Sequence, residues 1–122
     1  MARVLVVARD RTLLQVLHSA LSRDGHSVLM RDNSPSGIDA FCLNDPDMTI
    51  LDWQIDGMTG LDLARHMTTI KPSPAIVLTA AHPHEEVRQT QLTHRLHLVS
   101  KDTPLTELMR LVQQFTIPTK PA

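Results

Sequence analysis

Five short runs of aliphatic residues divide the sequence, at positions 4–8, 28–30, 48–51, 75–78 and 96–99. Each run is continuously apolar rather than alternating between apolar and polar residues, which is typical of parallel strands covered by helices on both faces. The second run is short, and the fifth is interrupted by His97. We therefore predict five strands, with the second and fifth nearer the edges of the sheet.

Apolar residues at helical spacing fill the first interval. They recur at i, i+3, i+4 and i+7 and comprise Leu13, Leu14, Val16, Leu17, Ala20 and Leu21. Asp10 or Thr12 can cap the start of this helix, and Gly25 lies just past its end. The interval therefore predicts an amphipathic helix with one buried face.

Four further helices are predicted in the remaining intervals. Ser34 is the expected N-cap of the second, with Pro35 in its first turn. The core face of the second helix carries Ile38, Phe41 and Cys42. The third ends before Pro72, and the fourth, over 84–92, is weakly apolar and therefore expected to be largely exposed. The fifth opens at Thr103-Pro104 and is expected to bury Leu105, Leu108, Met109 and Val112.

Strand and helix alternate five times, which predicts an α/β fold with right-handed crossovers and helices on both faces of a parallel sheet. Five strands suit a doubly wound, flavodoxin-like (βα)5 sheet in the order 2-1-3-4-5. We expect one domain over residues 1–116. Residues 117–122, with two prolines and no apolar pattern, are expected to be a linker stub or a C-terminal tail. The functional crevice should lie at the carboxyl ends of the first and third strands.

Composition narrows the class of protein. Of the 122 residues, 42% are hydrophobic and 20% are charged, which are globular values. The net charge of −1 and the three aromatic residues argue against direct nucleic-acid binding. The single cysteine excludes an intramolecular disulfide. No signal-peptide pattern or membrane-length apolar run is present, so we expect a cytoplasmic protein that does not bind membranes.

The residues at the predicted strand ends carry a resemblance. They are Ala8 and Arg9 after the first strand, Asp52 after the third, Thr79 after the fourth and Lys101 after the fifth. In this order and spacing, the chain resembles the receiver domain of bacterial two-component response regulators. The matching stretches lie at residues 4–7, 47–52, 57–61, 75–80 and 98–101.

The resemblance implies a role for three of these side chains. In the family, the aspartate that ends the third strand accepts a phosphoryl group from a histidine kinase, and it corresponds to Asp52. The hydroxyl residue that ends the fourth strand contacts the phosphoryl oxygens and corresponds to Thr79. The lysine that ends the fifth strand pairs with the phosphoryl group and corresponds to Lys101.

The chain departs from the family where a metal would bind. The family holds magnesium with two adjacent acidic residues after the first strand, and these positions are Ala8 and Arg9 here. Magnesium requires oxygen ligands, which neither side chain supplies. Asp10 follows one position too late and is better placed to cap the helix. We therefore expect magnesium binding to be weak or absent, no other cofactor, and Arg9 near Asp52 in place of the cation.

Three further departures concern signal transmission. The aromatic residue that the family commonly has three positions before the lysine is Leu98 here. The proline that usually follows the lysine is Asp102, and the proline that usually precedes Gly57 is Asp56. These differences predict that the switch between unphosphorylated and phosphorylated states has been lost.

Our leading hypothesis is an atypical receiver, not an enzyme, that acts by protein–protein contact without magnesium-dependent phosphorylation. In this hypothesis Asp52 forms a static ion pair with Lys101. The alternative is a receiver phosphorylated at Asp52 by a histidine kinase. A nucleotide- or flavin-binding protein of the same topology is disfavoured, because no glycine-rich phosphate loop follows the first strand.

The resemblance also suggests where partners bind. In the family, the fourth helix, fifth strand and fifth helix form the usual contact surface for proteins. A homodimer and a C-terminal output domain are both compatible with the sequence. His82 and His84 invite a zinc site, but an exposed loop and helix start explain them without a metal.

Overall fold

A computed structural model of the chain describes residues 2–79 and 96–116. Its strands are β1 (Arg3–Val7), β2 (Ser27–Arg31), β3 (Met48–Asp52), β4 (Gln54–Ile55), β5 (Met58–Thr59), β6 (Ala75–Thr79) and β7 (Leu96–Ser100). Its helices are α1 (Arg11–Arg23), α2 (Ser34–Asn44), α3 (Gly60–Ile70) and α4 (Leu105–Thr116). The predicted helix over 84–92, His82, His84 and the tail at 117–122 lie outside the described residues.

Five strands form a parallel sheet in the order β2-β1-β3-β6-β7. With the short strands β4 and β5 set aside, this is the predicted order 2-1-3-4-5, and the α/β fold class is confirmed. The strands β2 and β7 lie at the two edges, as their short or interrupted apolar runs indicate. Among the described helices, none has the length and apolar character that crossing a bilayer requires.

Apolar side chains cover both faces of the sheet. Leu5 and Val7 of β1 belong to a cluster that includes residues of α2 and α3. Val4 and Val6 point the other way and belong to a cluster that includes residues of α1 and α4. Because successive residues of a strand face opposite sides, a strand buried on both sides needs apolar residues at every position. This explains the continuous runs in the sequence.

The helix starts are set by side chains that accept hydrogen bonds from backbone amides. Asp10 caps α1, since its Oδ1 accepts a hydrogen bond of 2.9 Å from the Thr12 N–H. The predicted N-cap of α2 was wrong by one residue, because Asn33 accepts the hydrogen bond from the Ser36 N–H. Ser34 is instead the first residue of α2 and is buried.

Three residues that the sequence places on buried helix faces are exposed, namely Val16, Cys42 and Leu105. Cys42 is exposed, whereas Ala40 and Phe41 of the same helix are buried. A helix has 3.6 residues per turn and so rotates by about 100° at each residue. The residue after Phe41 therefore faces away from the sheet. Leu105, the first residue of α4, is 40% exposed and lines a surface cavity.

Candidate functional site

The sheet brings the predicted site residues to its carboxyl edge. Asp52 ends β3 and Thr79 ends β6, and both are buried. Lys101 follows β7 directly, and its backbone N–H donates a hydrogen bond of 2.9 Å to the Thr79 carbonyl oxygen. Parallel strands end at the same edge, so three residues far apart in the sequence become neighbours.

An ion pair links Asp52 to Lys101. The distance from Lys101 Nζ to Asp52 Oδ1 is 2.8 Å, and the Trp53 N–H donates to the same oxygen at 2.8 Å. The Asp52 side chain is 2% exposed and the Lys101 side chain is 42% exposed. Two donors thus hold one oxygen of a buried carboxylate, with the lysine reaching it from the surface.

The position of Arg9 corrects our expectation. Its Nε lies 3.7 Å from Asp56 Oδ1, and both side chains are largely exposed. Among the described residues, Lys101 is the one cationic side chain within ion-pair distance of Asp52. The sequence placed Arg9 beside Asp52, but Arg9 lies within ion-pair distance of Asp56 and Asp52 within ion-pair distance of Lys101.

A short hairpin explains why the Arg9 side chain lies near Asp56. The strands β4 and β5 pair antiparallel directly after β3 and were not predicted. The turn between them contains Asp56, whose carbonyl oxygen accepts a hydrogen bond of 2.9 Å from the Ser34 N–H. The hairpin is thereby fixed to the start of α2, and its carboxylate comes within reach of Arg9.

Glycines allow this hairpin to pack closely. Gly57 has a φ of +106°, which favours glycine, and a Cβ there would collide with Ser34 Oγ. Gly60 begins α3 against the end of β3, where a Cβ would collide with the Asp52 carbonyl oxygen. These two glycines therefore let the hairpin lie against the start of α2 and let α3 begin against the end of β3.

The remaining predicted positions lie around this core. Ala8 is buried and belongs to the apolar cluster on the α1 and α4 side. Leu98 is partly buried against the cluster on the opposite face. Its neighbour His97 makes an edge contact with Phe115 of α4, with 4.6 Å between ring centroids.

The donor set does not fit magnesium as the resembled family would hold it. A buried alanine methyl group and a guanidinium paired with Asp56 occupy the two positions where carboxylates are needed. The bonded oxygen of Asp52 already has two donors. Within residues 2–79 and 96–116, no three His, Cys, Asp or Glu side chains gather in a metal-binding group.

A family model and curated relatives both match this chain. The response regulator receiver domain family matches residues 4–113 of the chain. The transcriptional regulatory protein CseB of Streptomyces avermitilis is 35% identical over 77 residues, which are 63% of this chain and 33% of CseB. The chain thus spans about a third of the length of such curated relatives.

Solved structures share the fold. A response regulator receiver domain protein from Clostridium thermocellum has a TM-score of 0.86 at 24% identity, covering 95% of this chain and 94% of that one. The receiver domain of the Francisella response regulator 1452 has a TM-score of 0.87 at 18% identity, covering 95% and 97%. At these identities the likeness concerns the fold alone.

Proposed function

The chain belongs to the response regulator receiver domain family, and we propose that it is an atypical receiver that signals without magnesium-dependent phosphorylation. It would act by contact with other proteins in the cytoplasm, as a signalling module rather than an enzyme. The observation that carries the proposal is the pair Ala8 and Arg9 at the place of the family's acidic pair. Neither side chain can supply an oxygen to a divalent cation.

The chemistry of phosphoryl transfer explains why this pair matters. A metal ion in such a site neutralises developing charge and orients the transferred group. Here Arg9 is paired with Asp56, so its charge is directed away from Asp52. Lys101 already bonds to the Asp52 carboxylate. This supports a structural role for Asp52 as the buried partner of a static ion pair.

A second candidate function is phosphorylation at Asp52. It is favoured by the presence of Asp52, Thr79 and Lys101 at one edge of the sheet. In that case these residues would accept and contact the phosphoryl group, with Asp10 and water recruiting the metal. The two functions differ in a measurable covalent product.

Mass spectrometry separates them. The protein is incubated with magnesium and acetyl phosphate, and the expected result is no gain of about 80 Da, the mass of one phosphoryl group. A stoichiometric gain that disappears in Asp52→Ala would contradict the proposal and establish the second candidate. The double variant Ala8→Asp, Arg9→Asp restores the acidic pair and serves as the control for the donor and the conditions.

Trp53 provides an independent measurement. It follows Asp52 directly, and its backbone N–H donates to the Asp52 carboxylate. Because the indole belongs to the residue next to the carboxylate, its fluorescence should respond to a cation bound there. We expect millimolar magnesium to leave the fluorescence of the unmodified protein unchanged. The double variant with aspartates at positions 8 and 9 should respond. A saturable response of the unmodified protein would show that the charge argument is wrong.

We propose the partner surface by family analogy. It would comprise β7, α4 and the predicted helix over 84–92, of which the described part includes the contact between His97 and Phe115. A protein partner, a homodimer and a C-terminal output domain are each compatible with a chain that spans about a third of the length of such relatives. Co-purification of partner proteins with a tagged copy of this chain would test the surface, and charge reversal at an exposed α4 residue such as Arg110 should weaken their capture.

A further inference from the structure

A surface cavity lies between α1 and α4, next to the ion pair but outside it. Its volume is about 280 Å³, and it is bounded by side chains of both helices and by the ends of β6 and β7. Lys101 contributes to its rim, so one residue belongs both to the cavity and to the Asp52 ion pair. Binding in the cavity would therefore take place at the carboxyl edge of the sheet.

The walls of the cavity are aliphatic and partly open to solvent. Val16 is 44% exposed and Leu105 is 40% exposed, and they face the same cavity from α1 and α4. Its lining also includes the buried residues Leu17, Leu78 and Leu108. Large apolar side chains that are exposed singly need no explanation, whereas exposed ones that meet around a concavity are typical of a binding site.

The charged groups at the rim already have partners. The Asp10 carboxylate caps α1 through the Thr12 N–H. The Lys101 ammonium bonds to the buried Asp52 carboxylate. A charged ligand would lose water in this cavity without gaining a free counter-ion, which is costly. An uncharged polar group meets no such cost, because an ammonium has three donors and hydroxyls such as Ser100 and Thr103 both donate and accept.

We infer that this cavity binds a small uncharged molecule with an aliphatic body and one hydroxyl or carbonyl group. The aliphatic body contacts the leucine and valine walls, and the polar group bonds at the rim near Lys101. The volume lies just below the usual range of ligand pockets, about 300–1,000 Å³, so a ligand of few carbons fits best. The inference concerns binding alone and stands whether or not Asp52 accepts a phosphoryl group.

Titration of the ¹⁵N-labelled full chain tests the inference, with 1-hexanol as the probe. We expect saturable amide shifts in the millimolar range, confined to residues 10–17 and 100–108. Hexanoate and hexylammonium have the same aliphatic length and carry a charge. Both should bind about tenfold more weakly or worse, because the charge is desolvated without a partner.

Two wall variants and one control complete the test. Leu105→Glu and Val16→Glu each place a carboxylate in the wall at an exposed position, so folding should persist, and each should abolish the hexanol shifts. Leu43→Glu makes the same change on α2, where Leu43 is 83% exposed and outside the cavity lining, and should leave them unchanged.

Three outcomes would overturn the inference. The first is the absence of saturable shifts, and the second is their persistence in both wall variants. The third is binding of hexanoate as tight as that of hexanol, which would show that the site does not select neutral molecules over anions.

Discussion

At the scale of single residues, Asp52 keeps a carboxylate in the protein interior because two donors meet one of its oxygens. Lys101 reaches it from the surface, and the Trp53 amide reaches it from the adjoining backbone. Removing an ion from water costs several kcal/mol, and a good ion pair offsets that cost without necessarily adding net stability. The pair is therefore expected to matter most when one partner is missing.

The variant Lys101→Met tests this expectation. It leaves Asp52 buried without its cation, and we expect the free energy of unfolding to fall by about 2 kcal/mol or more, measured by urea denaturation. Breaking a fully buried pair costs about 3–5 kcal/mol, and the exposed side of Lys101 should let water reduce that figure. Adding Asp52→Asn to Lys101→Met should recover much of the loss, because the unpaired charge is then absent.

Lys71→Met is the matched control. Lys71 Nζ also lies 2.8 Å from a carboxylate oxygen, that of Asp45, but the Asp45 side chain is 82% exposed. The hydrogen bond from Lys71 holds the pKa of Asp45 below its ordinary value, yet surface pairs contribute little to stability. The variant also removes a cation–π contact, since Lys71 Nζ lies 4.8 Å from the centre of the Phe41 ring. Such contacts are weak at exposed sites, so the loss should still be smaller than in Lys101→Met. Equal losses in the two variants would contradict a special role for burial.

Sequence reasoning at this scale succeeded for residues whose strand position defines their place. Asp52 and Thr79 each end a strand, Lys101 directly follows one, and parallel strands end together. It failed for Arg9, because the direction of a long surface side chain depends on which opposite charge comes near. That charge belongs to Asp56, and its position is set by the unpredicted hairpin.

At the scale of elements, the close approach of α3 to β3 shapes the edge of the sheet. Gly60 begins α3, and its N–H donates a hydrogen bond of 2.9 Å to the Trp53 carbonyl oxygen. A Cβ at this position would meet the backbone of Asp52 rather than a movable side chain. The position of Asp52 thus depends on the absence of a side chain eight residues later.

We predict that Gly60→Ala lowers the free energy of unfolding by about 1–3 kcal/mol, the usual cost of overpacking, because backbone must shift to admit the methyl group. Gly37→Ala in α2 is the comparison. There a Cβ would lie 3.0 Å from Val7 Cγ2, a side-chain atom, and alanine favours helix by roughly 0.5–1 kcal/mol. Thermal or urea unfolding should show little change for Gly37→Ala. A harmless Gly60→Ala would show that α3 can move away from β3 freely.

The five strands of the sheet could be predicted because burial on both faces requires a continuous apolar run. The described helices could be predicted because one buried face leaves an apolar period of 3.6 residues. The strands β4 and β5 could not, since two residues are too few for a period. The N-cap of α2 was misplaced because Asn33 and Ser34 are both good capping residues and stand next to each other. Helix faces were predictable on average but not at Cys42 or Leu105, which lie at the margins of their apolar stripes.

At the scale of the whole molecule, the sheet that the described residues form has a centre paired on both sides and two edge strands with one strand partner each. Within the described residues β1 pairs with both β2 and β3, whereas β2 pairs with β1 alone. The Ser27 N–H donates a hydrogen bond to the Ala2 carbonyl oxygen, and the Arg31 carbonyl oxygen accepts one from the Ala8 N–H. Since backbone groups alternate in direction along a strand, those of Val28 and Met30 point away from β1.

Amide hydrogen exchange should therefore alternate along β2. We expect the amides of Leu29 and Arg31 to be protected and those of Val28 and Met30 to exchange at least tenfold faster, as edge amides without a strand partner do. The amides of β1 provide the internal control, since both sides of that strand are paired and all should be slow. Uniform protection of 28–31 would mean that another segment covers this edge.

The register of β1 also has a consequence for the order in which the chain assembles. Arg3 lies beside Ser27, and Val4 lies beside Met48, so β1 pairs with two strands that both follow it in the chain. Contacts this distant in the chain slow folding, because a long loop must close before they form. The strands β2, β1 and β3 nevertheless all lie within residues 3–52. We expect these three strands to pair first, with β6 and β7 added afterwards.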